Sequence, residues 1–500
     1  MVRDFLRNRY IVLLCIIALF ALVYRLIILY PPYADGLPSG FDSYVHAGVA
    51  YSVVANGFAI LPTDIYPPFY HLTLAFLYVV TGIPPIRLVL PYGIAVDVLS
   101  IFPVFYIAQR ICDGNKSIGL LAAFFKSIDP ISLNLLVMGS IPNLLGFFWL
   151  LLLISVLLSD LRNRWTGVLL MAVLSSLIFF THLLVSAFLI FLFALIFIHE
   201  FILKRDSRYL KPLFFSLLIA AVPVGLYYIP RIAYFYLGVT TGEEYILWAS
   251  SGFILVPIAS LPAIFLVKRN WRNRNVSSKS PYLNFLEFWY AAPILIALVF
   301  IWQASIVSRM WQFLSVPAII VISSVLVKKL TMMKKVRGPN PVKAITATLL
   351  VACVITTAVG GAYEFNAVFY ATPARLELTN WISSHTPMSA TFCTEEESLP
   401  THLGWYITGL TGRTAYESLS NYAGAFEVGT EATNDILSAI NITSLLVGSE
   451  YWTKAVRELN VTYVVLLAGE PHPNYAAISN EIVFQSESYI VYNVTTFTLS

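Results

Sequence analysis

Twelve mostly apolar stretches of about 20 residues divide this chain, at 10–30, 66–82, 86–108, 118–138, 141–159, 165–181, 183–200, 212–230, 247–267, 285–303, 307–327 and 343–361. That length lets a helix cross the hydrocarbon core of a bilayer. Within lipid, only helices and closed barrels satisfy their own backbone. The spacing therefore predicts a polytopic α-helical membrane protein. Composition decides against the other classes. Charged side chains are 12% of 500 residues, where a soluble domain has about 25%. A soluble globular, a disordered and a nucleic-acid-binding chain are all excluded. The stretch 10–30 is too long for a signal peptide and lacks a small-residue cleavage site, so it reads as a retained anchor. Cys15, Cys112, Cys353 and Cys393 are scattered, with neither metal-site nor disulfide spacing.

Charge is unevenly spread. Residues 371–500 hold 4 basic and 13 acidic side chains; the rest of the chain holds 27 and 14. The chain thus divides into a basic, multi-span body, 1–370, and an acidic C-terminal domain, 371–500. Basic residues mark the cytoplasmic side of a span. Arg3, Arg7 and Arg9, then Arg162 and Arg164, then clusters at 204–211, 268–279 and 328–337, place the N-terminus and four loops inside. The span 343–361 then runs outward and leaves the C-terminal domain extracytoplasmic. The sequons at Asn441, Asn460 and Asn493 agree, although Asn275 lies in a loop read as cytoplasmic. A chain with its ends on opposite sides crosses an odd number of times, so about 11 of the twelve stretches are expected to span. The exception falls between 66 and 140. Arg110, Lys116 and Lys126 favour the cytoplasm, yet simple alternation puts the first two outside. The tail reads as mixed α/β, with helices over 373–385, 431–447 and 450–459 and strands over 461–467 and 489–494.

Ionisable groups in or beside spans are costly, so they tend to be paired or functional. At the outer face remain Asp35, Asp42, Asp64, Glu243, Glu244 and Glu364, opposed by Arg25, Arg231 and Arg309. The densest patch is the first outer loop, 31–66, with its run Gly40-Phe41-Asp42-Ser43-Tyr44-Val45-His46. Asp42 and His46 are four apart and share a helix face. A helix over 43–57 is expected to lie along the interface, anchored by Tyr44 and Tyr51. Each polar residue also has a structural reading. Asp42 suits an N-cap, and His46 an unremarked place on a helix face. Asp64, before Tyr66-Pro67-Pro68, suits a turn. His182, between two spans, suits a structural histidine. Arg309 at a span end either snorkels to the surface or binds an anion.

Three segments resemble the GT-C superfamily of integral-membrane glycosyltransferases. Phe41-Asp42-Ser43-Tyr44-Val45-His46 looks like the start of that superfamily's first outer loop. Tyr66-Pro67-Pro68-Phe69-Tyr70-His71 through Thr81-Gly82 looks like its end. Ser308-Arg309 with Pro317 is similar to a late-span arginine and proline seen in several of its families. Thr181-His182-Leu183 also resembles a Thr-His element of archaeal and bacterial members. In the tail, Trp381–Pro387 and Gly412-Arg413 resemble the external domain. The chain has no Asp-X-Asp, no adjacent acidic pair in the first loop and no Trp-Trp-Asp in the tail, which favours transfer of one sugar over en bloc transfer of a glycan. The resemblance implies a polyprenyl- or dolichyl-phosphate sugar donor, a glycan, lipid or protein acceptor, and contact with membrane lipid. It implies Asp42 as catalytic base, with His46, Asp64, His182, Arg231 and Arg309 binding substrate. No cofactor is assigned, and a role for a divalent cation is left open. The alternative reading is a multi-span transporter or lipid-carrier flippase, which predicts polar mid-span residues in two matched halves.

Overall fold

The computed structural model describes residues 9–30, 37–38, 40–58, 66–198, 210–231, 283–299, 310–333, 371–395, 403–417, 442–469 and 471–498. The body opens with α1 (Arg9–Leu29), α2 (Phe41–Ala55), α3 (Phe69–Thr81), α4 (Pro85–Ile111), α5 (Lys116–Ser127) and α6 (Pro130–Met138). It continues with α7 (Ile141–Leu157), α8 (Trp165–Thr181), α9 (Leu183–Phe197), α10 (Leu210–Tyr228), α11 (Leu283–Val299) and α12 (Ser315–Met333). Among the described residues, Arg9–Leu29, Pro85–Ile111, Lys116–Met138 and Lys211–Tyr228 are long and apolar enough to cross a membrane. Local sequence sets the breaks. Asn115 accepts hydrogen bonds from the Ser117 and Ile118 N–H groups and starts α5. Asp129 accepts from the Ile131 N–H and starts α6, with Pro130 in its first turn. Both are favoured capping residues. Gly82 ends α3 and Gly139 ends α6 at φ 69° and 80°, a left-handed conformation that glycine adopts without steric cost.

Side-chain contacts sort the helix ends into two sets. Arg110 donates to the Leu158 carbonyl at 3.0 Å and pairs with Asp160 at 3.4 Å. The Lys116 ammonium lies 5.2 Å from the Tyr10 ring centroid. The start of α1, the α4–α5 turn and the α7–α8 connection therefore share one end. At the other end Ser140 meets Asp42, and Gly93 of α4 packs against Ile141 and Leu136. So α4 runs from the Asp42 end to the Arg110 end. Tyr66 and His71, at the start of α3, lie against His46, and α3 leads into Pro85 at that same end. Its 13 residues also fall short of the ~20 a crossing needs. The stretch 66–82 thus begins and ends at the same end of the body. Arg110 and Lys116 then join Arg162 at one end, and the conflict in the charge pattern disappears. The stretches 247–267 and 343–361 lie outside the described residues.

The tail carries a five-stranded sheet in the order β2-β1-β3-β5-β4. Its strands are β1 (Thr391–Thr394), β2 (Thr414–Glu417), β3 (Tyr463–Leu467), β4 (Ile482–Gln485) and β5 (Tyr489–Asn493). β1 pairs in parallel with β2 and β3, with Cys393 opposite Val464, while β5 is antiparallel to β3 and β4. One sheet face packs on α13 (Pro373–His385) and α14 (Leu403–Thr411) through Leu378, Ile382, Phe392 and Ile407. The other packs on α15 (Glu450–Glu458) through Trp452, Val456 and Val464. Residues 431–441 of the expected helix 431–447 lie outside the described residues. Arg413 is buried and donates to the carbonyls of Thr411, Ser383 and Thr386 at 2.9, 3.2 and 2.7 Å, tying the end of α14 to the end of α13.

The tail sits on the first loop. Tyr406 of α14 packs on Tyr44 of α2 with ring centroids 4.3 Å apart. At Gly409 an added Cβ would lie 2.5 Å from the Tyr44 carbonyl oxygen. Tyr44 is fully buried, and Tyr51 packs edge-on against Tyr78 of α3 at 5.2 Å. Tyr44 is therefore not an interfacial anchor. α2 is wedged between α3, α4 and the tail, because Gly409 of α14 and Gly48 of α2 let the two helices come close.

Candidate functional site

The approach of α2 to the α6–α7 turn is set by glycines. At Gly40 a Cβ would lie 2.1 Å from the Met138 carbonyl carbon, and at Gly139 one would lie 2.4 Å from the Ser43 nitrogen. No larger residue fits either place without moving backbone. Gly40, not Asp42, occupies the N-cap of α2, with no side-chain capping bond. The capping reading of Asp42 therefore fails. Asp42 sits in the first helical turn, where the helix dipole favours a carboxylate, and its Oδ2 accepts from Ser140 Oγ at 3.0 Å.

One turn along α2, His46 Nδ1 lies 3.0 Å from His71 Nε2. Both rings are buried, with Tyr66 and Tyr70 at 6.0 and 5.3 Å from His46. Burial, reinforced by the neighbouring His71 and His182, holds the His46 imidazole well below the usual histidine range. Burial pushes His71 down to about 3. Neither residue lies in a helix long enough and apolar enough to cross a membrane. The pair is neutral at physiological pH, one ring donating and the other accepting.

The scaffold of the site is the first two turns of α7. Positions three and four apart share a helix face, and here that face runs Ser140, Asn143, Gly146, Phe147. Ser140 holds Asp42. Asn143 Nδ2 donates to Gln312 Oε1 at 2.6 Å. Gly146 backs onto His182, whose Cβ would lie 3.3 Å from an added Cβ there. Phe147 meets Phe313 edge-on at 5.8 Å, and Phe188 of α9 stacks on Phe313 at 4.3 Å. His182 joins α8 to α9 in an extended conformation, φ −159°. Asp42, His46 and His182 thus converge around α2 and α7. Arg231 closes the short turn Ile229–Arg231 after α10, and its side chain lies outside the described residues. Asp64 and Arg309 lie outside them altogether. Four polar residues of the site escaped sequence reasoning as candidates: His71, Ser140, Asn143 and Gln312. The signal for Asn143 was present, since it is the one amide side chain within the stretch 141–159.

A second polar centre lies elsewhere in the body. Arg25, expected at the outer face, is fully buried, and its Nε lies 2.5 Å from Asp97 Oδ2. Lys126 Nζ lies 2.9 Å from Asp97 Oδ1 and 3.2 Å from Asp129 Oδ2. Arg25 also donates to the Ser127 carbonyl, and Lys126 donates to Ser132 Oγ. This cluster ties α1 and α4 to the break between α5 and α6.

No family model matches the chain, and neither does any curated protein. Solved structures do. The oligosaccharyltransferase of Archaeoglobus fulgidus, tethered to an acceptor peptide, aligns at 13% identity and TM-score 0.63 over 93% of this chain and 70% of that one. ArnT from Cupriavidus metallidurans bound to undecaprenyl phosphate aligns at 13% identity and TM-score 0.58, over 97% of this chain and 98% of that one. Arabinofuranosyltransferase AftD from Mycobacteria aligns at 15% identity and TM-score 0.54, over 91% of this chain and 36% of that one. This chain shares the fold of these three proteins. The helical body is built from α1–α12, and the convergence around α2 and α7 lies at the end of that body on which the tail docks.

Proposed function

We propose that this chain is a membrane glycosyltransferase. It moves a single sugar from a polyprenyl- or dolichyl-phosphate donor to an acceptor hydroxyl on a glycan, lipid or protein. The observation that carries the reading is Asp42, a first-loop carboxylate held by Ser140 where α2, α7 and the tail come together. The fold supports it. ArnT, matched over nearly its whole length, is seen with undecaprenyl phosphate, whereas the oligosaccharyltransferase extends further than this chain. In this reading the acceptor oxygen attacks the anomeric carbon. Its proton passes to Asp42, and the bond to the lipid phosphate breaks with the electron pair leaving on phosphate oxygen. The neutral His46–His71 pair orients groups without adding charge next to the base. Arg309 and Arg231 meet the donor phosphate, whose geometry suits a guanidinium. Asp64 and His182 bind sugar or acceptor. The Asp42 end and residues 371–500 face outward, and the N-terminus faces the cytoplasm.

Purified full-length protein, incubated with a panel of radiolabelled polyprenyl-phosphate sugars and a mixed acceptor extract, is expected to release lipid phosphate from one donor. A folded protein that releases none from any donor overturns the reading. In intact cells an impermeant thiol reagent is expected to label Thr430→Cys and not Ser277→Cys. The opposite pattern reverses the orientation.

A further inference from the structure

One pair of side chains in the site is only half satisfied. Asn143 and Gln312 are 4% and 7% exposed and share one hydrogen bond, Asn143 Nδ2 to Gln312 Oε1 at 2.6 Å. Two primary amides set face to face can exchange two bonds. Here the second bond is not made, and Asn143 Oδ1 and Gln312 Nε2 are buried with no partner among the described residues. Reversing both amides only exchanges the roles: one donor and one acceptor still remain unmet on the same bonded pair. Leaving such groups buried and unmet disfavours the folded state, whereas two apolar residues of the same shape would not. The pair is also rigid. Asn143 is fixed in the first turn of α7, and Gln312 precedes Phe313, which packs on Phe147 and Phe188. It lies one turn from Ser140, the residue that holds Asp42, on the same face of α7.

We infer that Asn143 and Gln312 form a clamp for one hydroxyl group of a neutral sugar ring. A hydroxyl offers one donor and two acceptor lone pairs on a single atom, which matches an orphan acceptor beside an orphan donor. A phosphate or carboxylate brings no proton for the orphan acceptor, and an ammonium brings no lone pair for the orphan donor. The inference rests on the glycosyltransferase reading for the sugar's source, which is either the donor's transferred ring or the acceptor's. The clamp itself rests only on the amide pair.

The test is the double variant Asn143→Leu with Gln312→Met in the full-length protein. It replaces both amides with apolar groups of similar shape, so the fold is expected to keep or slightly raise its thermal midpoint. Binding of the wild type and the variant is compared with dolichyl-phosphate mannose, dolichyl-phosphate glucose and sugar-free dolichyl phosphate, and with methyl mannoside and methyl glucoside at millimolar concentration. A fall of about tenfold or more for a sugar-bearing lipid, with sugar-free lipid unchanged within twofold, assigns the hydroxyl to the donor; each tenfold is 1.4 kcal/mol. Unchanged lipid binding with a comparable fall for a methyl glycoside assigns it to the acceptor. Equal binding of every probe by wild type and variant overturns the clamp, as does absence of sugar-dependent binding in the wild type. A wild type that binds a glycoside through the amides yet releases no lipid phosphate in the turnover assay removes the transferase reading and keeps the clamp. A midpoint lowered by several degrees leads to the single variant Gln312→Met, which removes the orphan donor and leaves Asn143 in place. Sugar affinity by that variant equal to wild type also overturns the proposal.

Discussion

The body of this molecule buries two polar centres, and they are built on opposite plans. The Arg25–Asp97–Lys126–Asp129 cluster is made of full charges, and its carboxylates and cations meet one another at 2.5–3.2 Å. The centre around α7 is mostly neutral, with a histidine pair, an amide pair and a single carboxylate. A charge withdrawn from water is tolerated only when it is paired and hydrogen-bonded. The ion cluster meets that condition and is closed to further partners. The amide pair does not meet the corresponding condition for neutral groups, since each amide keeps an unmet edge. Between these two centres, the completeness of hydrogen bonding separates the charged groups that hold helices together from an amide pair with room for a further bond.

The sharpest way to break this comparison is Asp42→Asn. Gly40 caps α2, so asparagine costs little stability, and it still accepts from Ser140. As it cannot take a proton, sugar transfer is expected to fall by about 10²–10⁴-fold while donor binding and thermal midpoint stay put. Transfer near the wild-type rate would remove Asp42 from the chemistry. The ion cluster predicts the reverse pattern. Lys126→Met leaves Asp97 paired with Arg25 alone and Asp129 with no cation among the described residues. Removing one member of a buried charged set costs about 3–5 kcal/mol. Loss of folded protein in size-exclusion chromatography and a lowered thermal midpoint are expected before any specific effect on turnover. A stable Lys126→Met protein with normal unfolding but abolished donor binding would show that the cluster belongs to the site.

The sequence made the spans legible because their apolar runs are long, and it made α13, α15, β3 and β5 legible through their periodicity. What it hid were partnerships across distance. An arginine near a span end carries no sign of Asp97, 72 residues away, so Arg25 read as an outer cation. The stretch 66–82 looks like a span by hydropathy, and only the contacts of Tyr66, His71, Gly93 and Arg110 show that it begins and ends at the same end of the body. The helix at Asp42 was visible, but its burial was not, since the covering residues Tyr406 and Gly409 lie more than 350 positions on. Within the site, Asp42 and His46 stood out as polar residues in a loop. Asn143 was masked by the apolar run around it, and Gln312 by the neighbouring Arg309. β1 is four residues long and too short to show an alternation.

The contact between the tail and the first loop gives a smaller effect that distinguishes support from chemistry. A methyl group added at Gly409 would meet the Tyr44 carbonyl oxygen and Cα at 2.5 and 2.7 Å. Backbone cannot yield as a flexible side chain can, so Gly409→Ala is expected to cost about 1–3 kcal/mol and to loosen the tail from α2. Limited proteolysis of the tail should accelerate, and transfer should fall less than in Asp42→Asn. Unchanged proteolysis would mean that the tail does not dock through α14.

The smallest effect is graded by pH and belongs to the neutral centre. His46 and His71 are both held below the usual histidine range, His71 at about 3, while in the unfolded chain each takes a proton near pH 6.5. Below that value the unfolded state binds more protons than the native state, so stability falls as pH falls. The window opens near 6.5 and extends down towards 3, where His71 itself protonates in the native state. Each histidine contributes a loss of about 1.4 kcal/mol at one pH unit below its unfolded value. The thermal midpoint of the wild type is expected to drop between pH 7 and 5.5, and a His46→Gln, His71→Gln double variant, with nothing there to protonate, should show a shallower drop. Parallel midpoint curves for the two proteins would place the acid sensitivity elsewhere and would mean that the histidine pair already carries charge in the native state.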